Sequence, residues 1–202
     1  MLLDADESQL VLVDYQTRLM PAIHEGAAAL ANAVRLAQIA QMLDVPVWGT
    51  EQNPSRLGPN DAALRALCRK TLDKMHFSAV PDGLVDYLRP PVKPQQGGNA
   101  RSLPKHLQKP AQPAAPERPS IVIAGCEAHV CLLQTALELL AEEFEVWVVT
   151  DACSSRTERN RDAAFDRLAG AGAELVTTEM VAFEWLGSCE HPAFKDMLAL
   201  VK

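Results

Sequence analysis

The chain has 202 residues, a formal charge of −7 and a hydrophobic fraction of 48%. That length suits one well-buried core, so a single domain over residues 1–202 is the default, and the composition is that of a soluble globular protein. The acidic balance argues against a nucleic-acid partner, because phosphate neutralisation needs clustered Lys and Arg. Only the mildly basic stretch 101–109, set among prolines, departs from it. The acidic start Met-Leu-Leu-Asp-Ala-Asp-Glu is unlike a secretory signal, and no apolar run approaches the ~20 residues of a membrane helix. The expectation is a cytoplasmic protein with no membrane partner. The five cysteines, at 68, 126, 131, 153 and 189, are odd in number and lack CxxC spacing, so they read neither as a disulfide framework nor as a zinc site.

In chain order, Leu10-Val11-Leu12-Val13 reads as a buried strand that stops at Asp14. Residues 26–44 carry apolar side chains at 27, 30, 31, 34, 37 and 40, which is helical spacing. Residues 45–49 read as a second strand, 50–59 as a polar loop, and Asn60 as the cap of a short helix through 61–68. A third strand is expected near 74–78 and a short helix over 81–88, with Pro81 in its first turn. From Pro90 to Pro119 the chain is proline-rich and contains Gln-Gln-Gly-Gly, the composition of a long exposed insertion rather than a second domain. Regular alternation then resumes: strand 121–124, helix 129–142, strand 144–149, helix 159–171, strand 174–177, and short helices over 181–186 and 192–201.

Strands that are continuous apolar runs, alternating with helices, imply a parallel sheet covered on both faces. The expected fold class is therefore α/β, a three-layer αβα sandwich with a mostly parallel Rossmann-like sheet. In such sheets ligands bind beyond the carboxyl ends of the strands. The groups found there are Asp14 and Gln16 after the first strand, Glu51 and Gln52 after the second, and Lys74 and His76 near the third. Gly125 through Cys131, including Glu127 and His129, follows the fourth.

Cys131 lies near the start of a helix, where backbone N–H groups and the helix dipole favour a thiolate and can hold an oxyanion. Asp14, directly after four apolar residues, is costly unless paired. A buried Asp–Lys pair beside a thiol meets that requirement and supplies a proton acceptor. Sequence spacing alone does not bring Asp14, Lys74 and Cys131 together. The histidines show no HxH, HExxH or HxxxH spacing, and the GxSxG, GxxxxGK[ST] and GxGxxG signatures are missing. No metal site and no cofactor is expected.

The chain resembles the isochorismatase-like cysteine hydrolase superfamily over nearly its whole length. The matching pieces are Leu12-Val13-Asp14-Tyr15-Gln16, Thr50-Glu51-Gln52 with Leu57-Gly58-Pro59, and Lys74 with Phe77-Ser78. Gly125-Cys126-Glu127-Ala128-His129-Val130-Cys131 leading into Gln134-Thr135-Ala136 matches too, as does Asp151-Ala152-Cys153-Ser154-Ser155-Arg156 through Ala171-Gly172-Ala173. It is most similar to the branch of isochorismatase domain-containing proteins. The resemblance implies a catalytic triad of Asp14, Lys74 and Cys131. It also implies a cis peptide between Cys126 and Glu127, and an oxyanion hole from the Glu127 and Cys131 amides.

Nicotinamidase relatives carry a metal-binding Asp-x-His after the second strand; here that place reads Thr50-Glu51-Gln52. Gln16, Glu51, Gln52, His76 and His129 are the candidate substrate-binding residues. The implied activity is hydrolysis of a small amide or related acyl substrate through a thioester. The alternatives are isochorismate-type vinyl-ether hydrolysis and a catalytically silent binding or scaffold role. A small-molecule substrate and a homo-oligomer, dimer or higher, complete the expectations.

Overall fold

A computed structural model describes residues 2–89 and 118–202. The proline-rich insertion expected over 90–119 lies almost wholly outside the described residues. The six strands are β1 (Ser8–Val13), β2 (Val47–Gln52), β3 (Lys70–Lys74), β4 (Ser120–Gly125), β5 (Glu145–Val149) and β6 (Glu174–Val176). They form one sheet in the order β3-β2-β1-β4-β5-β6, and every pairing is parallel. The helices are α1 (Gly26–Met42), α2 (Pro54–Leu57), α3 (Ala62–Leu67), α4 (Leu84–Leu88), α5 (Leu133–Ala141), α6 (Glu158–Gly170), α7 (Thr178–Leu186) and α8 (Phe194–Val201). Together they make the expected α/β sandwich. Both central strands, β1 and β4, are buried at every residue, which is why they read as unbroken apolar runs.

The chain reverses its direction of winding between β1 and β4, the topological switch point of this strand order, where sheets of this kind bind ligands beyond the carboxyl ends. The two strands close tightly. A Cβ on Gly125 would lie 2.4 Å from Val13 O and 2.5 Å from Val13 Cβ, so only glycine ends β4 beside β1.

Several local expectations shift. β2 runs on through Thr50, Glu51 and Gln52, because ladder pairing with β1 and β3 overrides their polarity. β3 ends at Lys74 instead of starting there. The short helix α3 is capped by Asp61, whose side chain accepts from Ala63 N–H, and not by Asn60. α4 begins only at Leu84, after Gly83 at φ 100°, and Pro81 stays in the preceding turn.

α1 is where expected but buries Ala29, Ala33, Leu36, Ala37 and Ala40, while Ala27 and Ala31 face solvent. Its sequence is apolar nearly all round, so periodicity marks the helix better than its buried face. The helix expected from 129 opens as a π-helical turn, Ala128–Leu132, before α5.

The residues that flank the undescribed segment are rooted at the start of β1, away from its carboxyl end. Gln9 Nε2, in the first half of β1, donates to Leu88 O and Arg118 O, both at 3.0 Å. Arg118 Nη1 in turn donates to Ala5 O at 2.7 Å. No helix among the described residues is long and apolar enough to cross a membrane.

Candidate active site

Asp14 leaves β1 at φ 55°, a left-handed conformation that Asp tolerates better than bulkier residues. Its amide still continues the ladder, donating to Thr50 O at 3.2 Å. Its carboxylate is sealed from solvent and faces Lys74 Nζ at 2.8 Å, with neither side chain exposed at all. Thr50 Oγ1 donates to Asp14 Oδ1 at 2.7 Å.

The ammonium of Lys74 donates to Gln52 Oε1 at 2.7 Å, Phe77 O at 2.9 Å and His76 O at 3.3 Å. Those three acceptors match the three N–H groups of an ammonium. Asp14 Oδ2 therefore receives the ammonium's charge but no aligned hydrogen bond. It is the carboxylate oxygen left open to a proton.

Cys131 sits in the π-helical turn after β4, 7% exposed. Its thiol stands beside the Asp14–Lys74 pair, and both charges act on it. The structure thus brings together the three residues that sequence spacing could not. The expectation of a resting thiolate is corrected: burial first, then the Asp14 charge, push the thiol up to about 12, and Lys74 offsets this only in part. Desolvation disfavours the charged form more than the helix end favours it. At neutral pH the proton stays on sulphur until it is taken.

The turn around Cys131 is held on both sides. The Cys126–Glu127 peptide is cis. Ala128 N–H donates to Ser154 O at 2.8 Å, while Val130 and Leu132 N–H both donate to Glu127 O. Glu127 points its carboxylate to Arg156, accepting from the backbone N at 3.1 Å and from Nε at 2.9 Å.

The other predicted residues divide. Gln52 joins the cluster through Lys74, and its Nε2 donates to Met75 O at 2.9 Å. Gln16, fully buried, donates to Gln52 O and Gly58 O and accepts from Gln52 N–H, which braces the end of β2. Glu51 points away. Successive side chains of a strand alternate faces, so Thr50 and Gln52 reach the cluster while Glu51 accepts from Asn60 N–H at 2.9 Å.

His76 contributes its carbonyl to Lys74, and its imidazole Nδ1 meets Asp82 Oδ2 at 3.1 Å. His129 turns to Ser155 Oγ at 3.0 Å and accepts from Asn160 Nδ2 at 3.3 Å, so it braces the turn against α6. Sequence reasoning missed Thr50 as a partner of Asp14. The available signal was the strand alternation itself, hidden by reading 50–59 as loop. Among the described residues no group of His, Cys, Asp and Glu is placed to hold a metal ion. The two side chains standing where nicotinamidase relatives carry metal ligands are committed to Asp14 and Lys74.

The isochorismatase domain, as a sequence family, matches residues 107–180. Isochorismatase domain-containing protein 2 of Rattus norvegicus is 32% identical over 197 residues, covering 98% of this chain and 82% of that protein. A solved structure described as MAR1 ribonuclease from Caenorhabditis elegans superposes with a TM-score of 0.83 at 28% identity, covering 100% of this chain and 92% of that one. The YcaC gene product of Escherichia coli, described as an octameric hydrolase of unknown specificity, has a TM-score of 0.75 at 23% identity and covers 98% and 95% of the two chains.

Proposed function

The chain belongs to the isochorismatase-domain family, and from that premise we propose that it is a cysteine hydrolase of small amides or related acyl compounds, with Cys131 as nucleophile. The observation that carries this reading is the Cys131 thiol beside a sealed Asp14–Lys74 ion pair at the switch point of the sheet.

In the proposed sequence Asp14 takes the thiol proton through Oδ2 as sulphur attacks the carbonyl carbon. The S–C bond forms, and the C=O electron pair moves onto oxygen. The Glu127 and Cys131 amides stabilise that oxyanion, supported by the commitment of Ala128, Val130 and Leu132 N–H to other acceptors. On collapse the C–N bond breaks, and the proton on Asp14 goes to the leaving amine. Asp14 then accepts a proton from water, which attacks the thioester and releases the acid and the thiol. Lys74 pairs with Asp14 and holds it in place. It holds no metal and donates nothing to the substrate in this scheme.

A raised thiol fits this reading better than a preformed thiolate would, because proton transfer is then concerted with attack and needs the carboxylate. The vinyl-ether alternative leaves the thiol without a task, and a purely binding role leaves a buried ion pair beside it without one. The test is incubation with a panel of small amides, followed by intact-mass spectrometry. A transient adduct of acyl mass on Cys131, absent in Cys131→Ala and much slower to form in Asp14→Asn, is expected. Undiminished hydrolysis by Cys131→Ala defeats the proposal.

Assembly into a homo-oligomer belongs to the same reading. It is supported by the octameric description of the YcaC neighbour and by Met180 and Phe183, exposed one helical turn apart on α7. A light-scattering mass of one chain in solution would defeat it.

A further inference from the structure

We infer that Asp82, outside the Asp14–Lys74–Cys131 cluster, is a positioning residue for the proposed reaction. It holds the turn 75–77 so that two backbone carbonyls keep the Lys74 ammonium beside the Cys131 thiol. This rests on the cysteine-hydrolase reading above and extends it to a residue that acts on the chemistry only through Lys74.

β3 ends at Lys74, and the backbone groups of the next residues have no ladder to pair with. They are sorted by polarity. The Met75 and His76 N–H groups both donate to Asp82 Oδ2, at 3.1 and 3.0 Å. The His76 imidazole Nδ1 meets the same oxygen at 3.1 Å. The His76 and Phe77 carbonyls go instead to Lys74 Nζ, accepting at 3.3 and 2.9 Å. One carboxylate oxygen thus gathers the donors of the turn, and one ammonium gathers two of its acceptors.

The loop that follows brings Asp82 back to the turn. Ser78 Oγ donates to Glu138 Oε2 at 2.5 Å and Ala79 N–H to Thr135 Oγ1 at 3.1 Å. Both acceptors lie on α5, the helix that continues the Cys131 turn. Gly83 N–H then donates to Val80 O at 3.0 Å and Leu84 N–H to Ala79 O at 3.1 Å, which folds the chain back on itself. Burial raises the Asp82 carboxyl, but the bonds from His76 and Met75 together lower it below its ordinary value. It therefore accepts them as a charged group, which strengthens each.

Asp82 reaches the thiol through the ammonium. Lys74 lowers the thiol, against burial and the Asp14 charge. Its side chain is wholly buried, and a buried ammonium keeps its place only while its N–H groups find acceptors. Asp82 fixes the direction of two of those acceptors. Without it the ammonium loses that place, and the thiol holds its proton to higher pH. A residue that merely kept the loop closed has the opposite signature. Its loss would let water reach the thiol, relieve the burial that raises it, and speed its reaction.

Iodoacetamide alkylation of the intact protein at pH 9, followed residue by residue by mass spectrometry, separates the two roles. Exposed Cys189 is the reference thiol, and buried Cys126 and Cys153 report any opening of the chain. In Asp82→Ala the rate at Cys131 relative to Cys189 should fall at least about threefold, with Cys126 and Cys153 as slow as in the wild type. Asp82→Asn, whose amide oxygen still accepts the Met75 and His76 N–H groups, should restore at least about half of the lost rate. A smaller fall, a faster Cys131 or newly reactive Cys126 and Cys153 in Asp82→Ala assigns Asp82 to the loop alone and overturns the inference. An Asp82→Asn that restores less overturns it too. If Cys131 of the wild type stays unmodified up to pH 10.5 while Cys189 reacts, the nucleophile reading itself fails, and this inference with it.

Discussion

Two groups of buried thiols lie at the carboxyl ends of the central strands, and their chemistry separates them where their acidity does not. Cys126 is pushed up to about 12, by burial first and then by Glu127 and Asp14. Cys131 is pushed to the same value, again by burial first. Cys153, fully buried, is raised as well. Yet Cys126 and Cys153 share their surroundings with the Tyr15 phenol, whose hydroxyl donates to Ala152 O at 2.5 Å, while Cys131 faces an ion pair. A nucleophile is distinguished here by what stands ready to receive its proton, not by a low resting pKa.

The sharpest way to break that comparison is a pair of substitutions. Cys131→Ala should lower turnover of any accepted amide by at least about 10³-fold with little loss of stability. Cys126→Ala should keep turnover within about threefold while losing about 1–3 kcal/mol of stability to the cavity it leaves. Steady-state rates and denaturant midpoints check both. Reversal of the two outcomes would assign the chemistry to the wrong region.

Asp14→Asn comes next, with opposed effects that a structural role alone does not produce. Loss of the proton acceptor should reduce turnover by about 10²–10⁴-fold. Loss of its negative charge removes a cause that raises the thiol, so Cys131 alkylation at pH 8 should become faster. Lys74→Met has the reverse electrostatic sign. It should slow alkylation, and it strips a buried carboxylate of its partner, at a cost of about 3–5 kcal/mol.

A smaller effect is expected from Gln52→Leu. It removes one of the acceptors that orient the ammonium, and turnover should fall about tenfold with a modest change in melting temperature. Glu51→Gln, one residue back on the other face of β2, should leave turnover unchanged within error, because among the described residues its carboxylate engages the Asn60 amide and Arg65, away from the cluster.

The raised thiols also set an alkaline limit. From about 9, the ordinary value, to about 12, the folded chain keeps protons on Cys126 and Cys131 that the unfolded chain releases. The unfolded state then binds fewer protons, so stability falls as pH rises through that window and is insensitive to these groups below it. Urea midpoints at pH 7, 9 and 10.5 should decline in that order, and the decline should lessen in Cys126→Ala.

Much of this was legible in the residues. Apolar runs at 10–13, 121–124 and 144–149, separated by helical spacing, determined an α/β sheet with both faces covered, since only a parallel sheet between helices buries such runs on both sides. The polar groups clustering after those runs located the rim, and the motifs from Leu12 to Gln16 and from Gly125 to Cys131 marked its family. Other features depended on contacts that no local pattern records. β2 extends through Thr50-Glu51-Gln52 because its neighbours supply the ladder, and that extension alone decides that Thr50 and Gln52 serve the site while Glu51 does not. Lys74 lies sixty residues from Asp14 in sequence, and they meet only because β1, β2 and β3 stand side by side. The protonated state of Cys131 was likewise a tertiary matter. A helix start speaks for a thiolate, but burial and a carboxylate brought from another strand outweigh it.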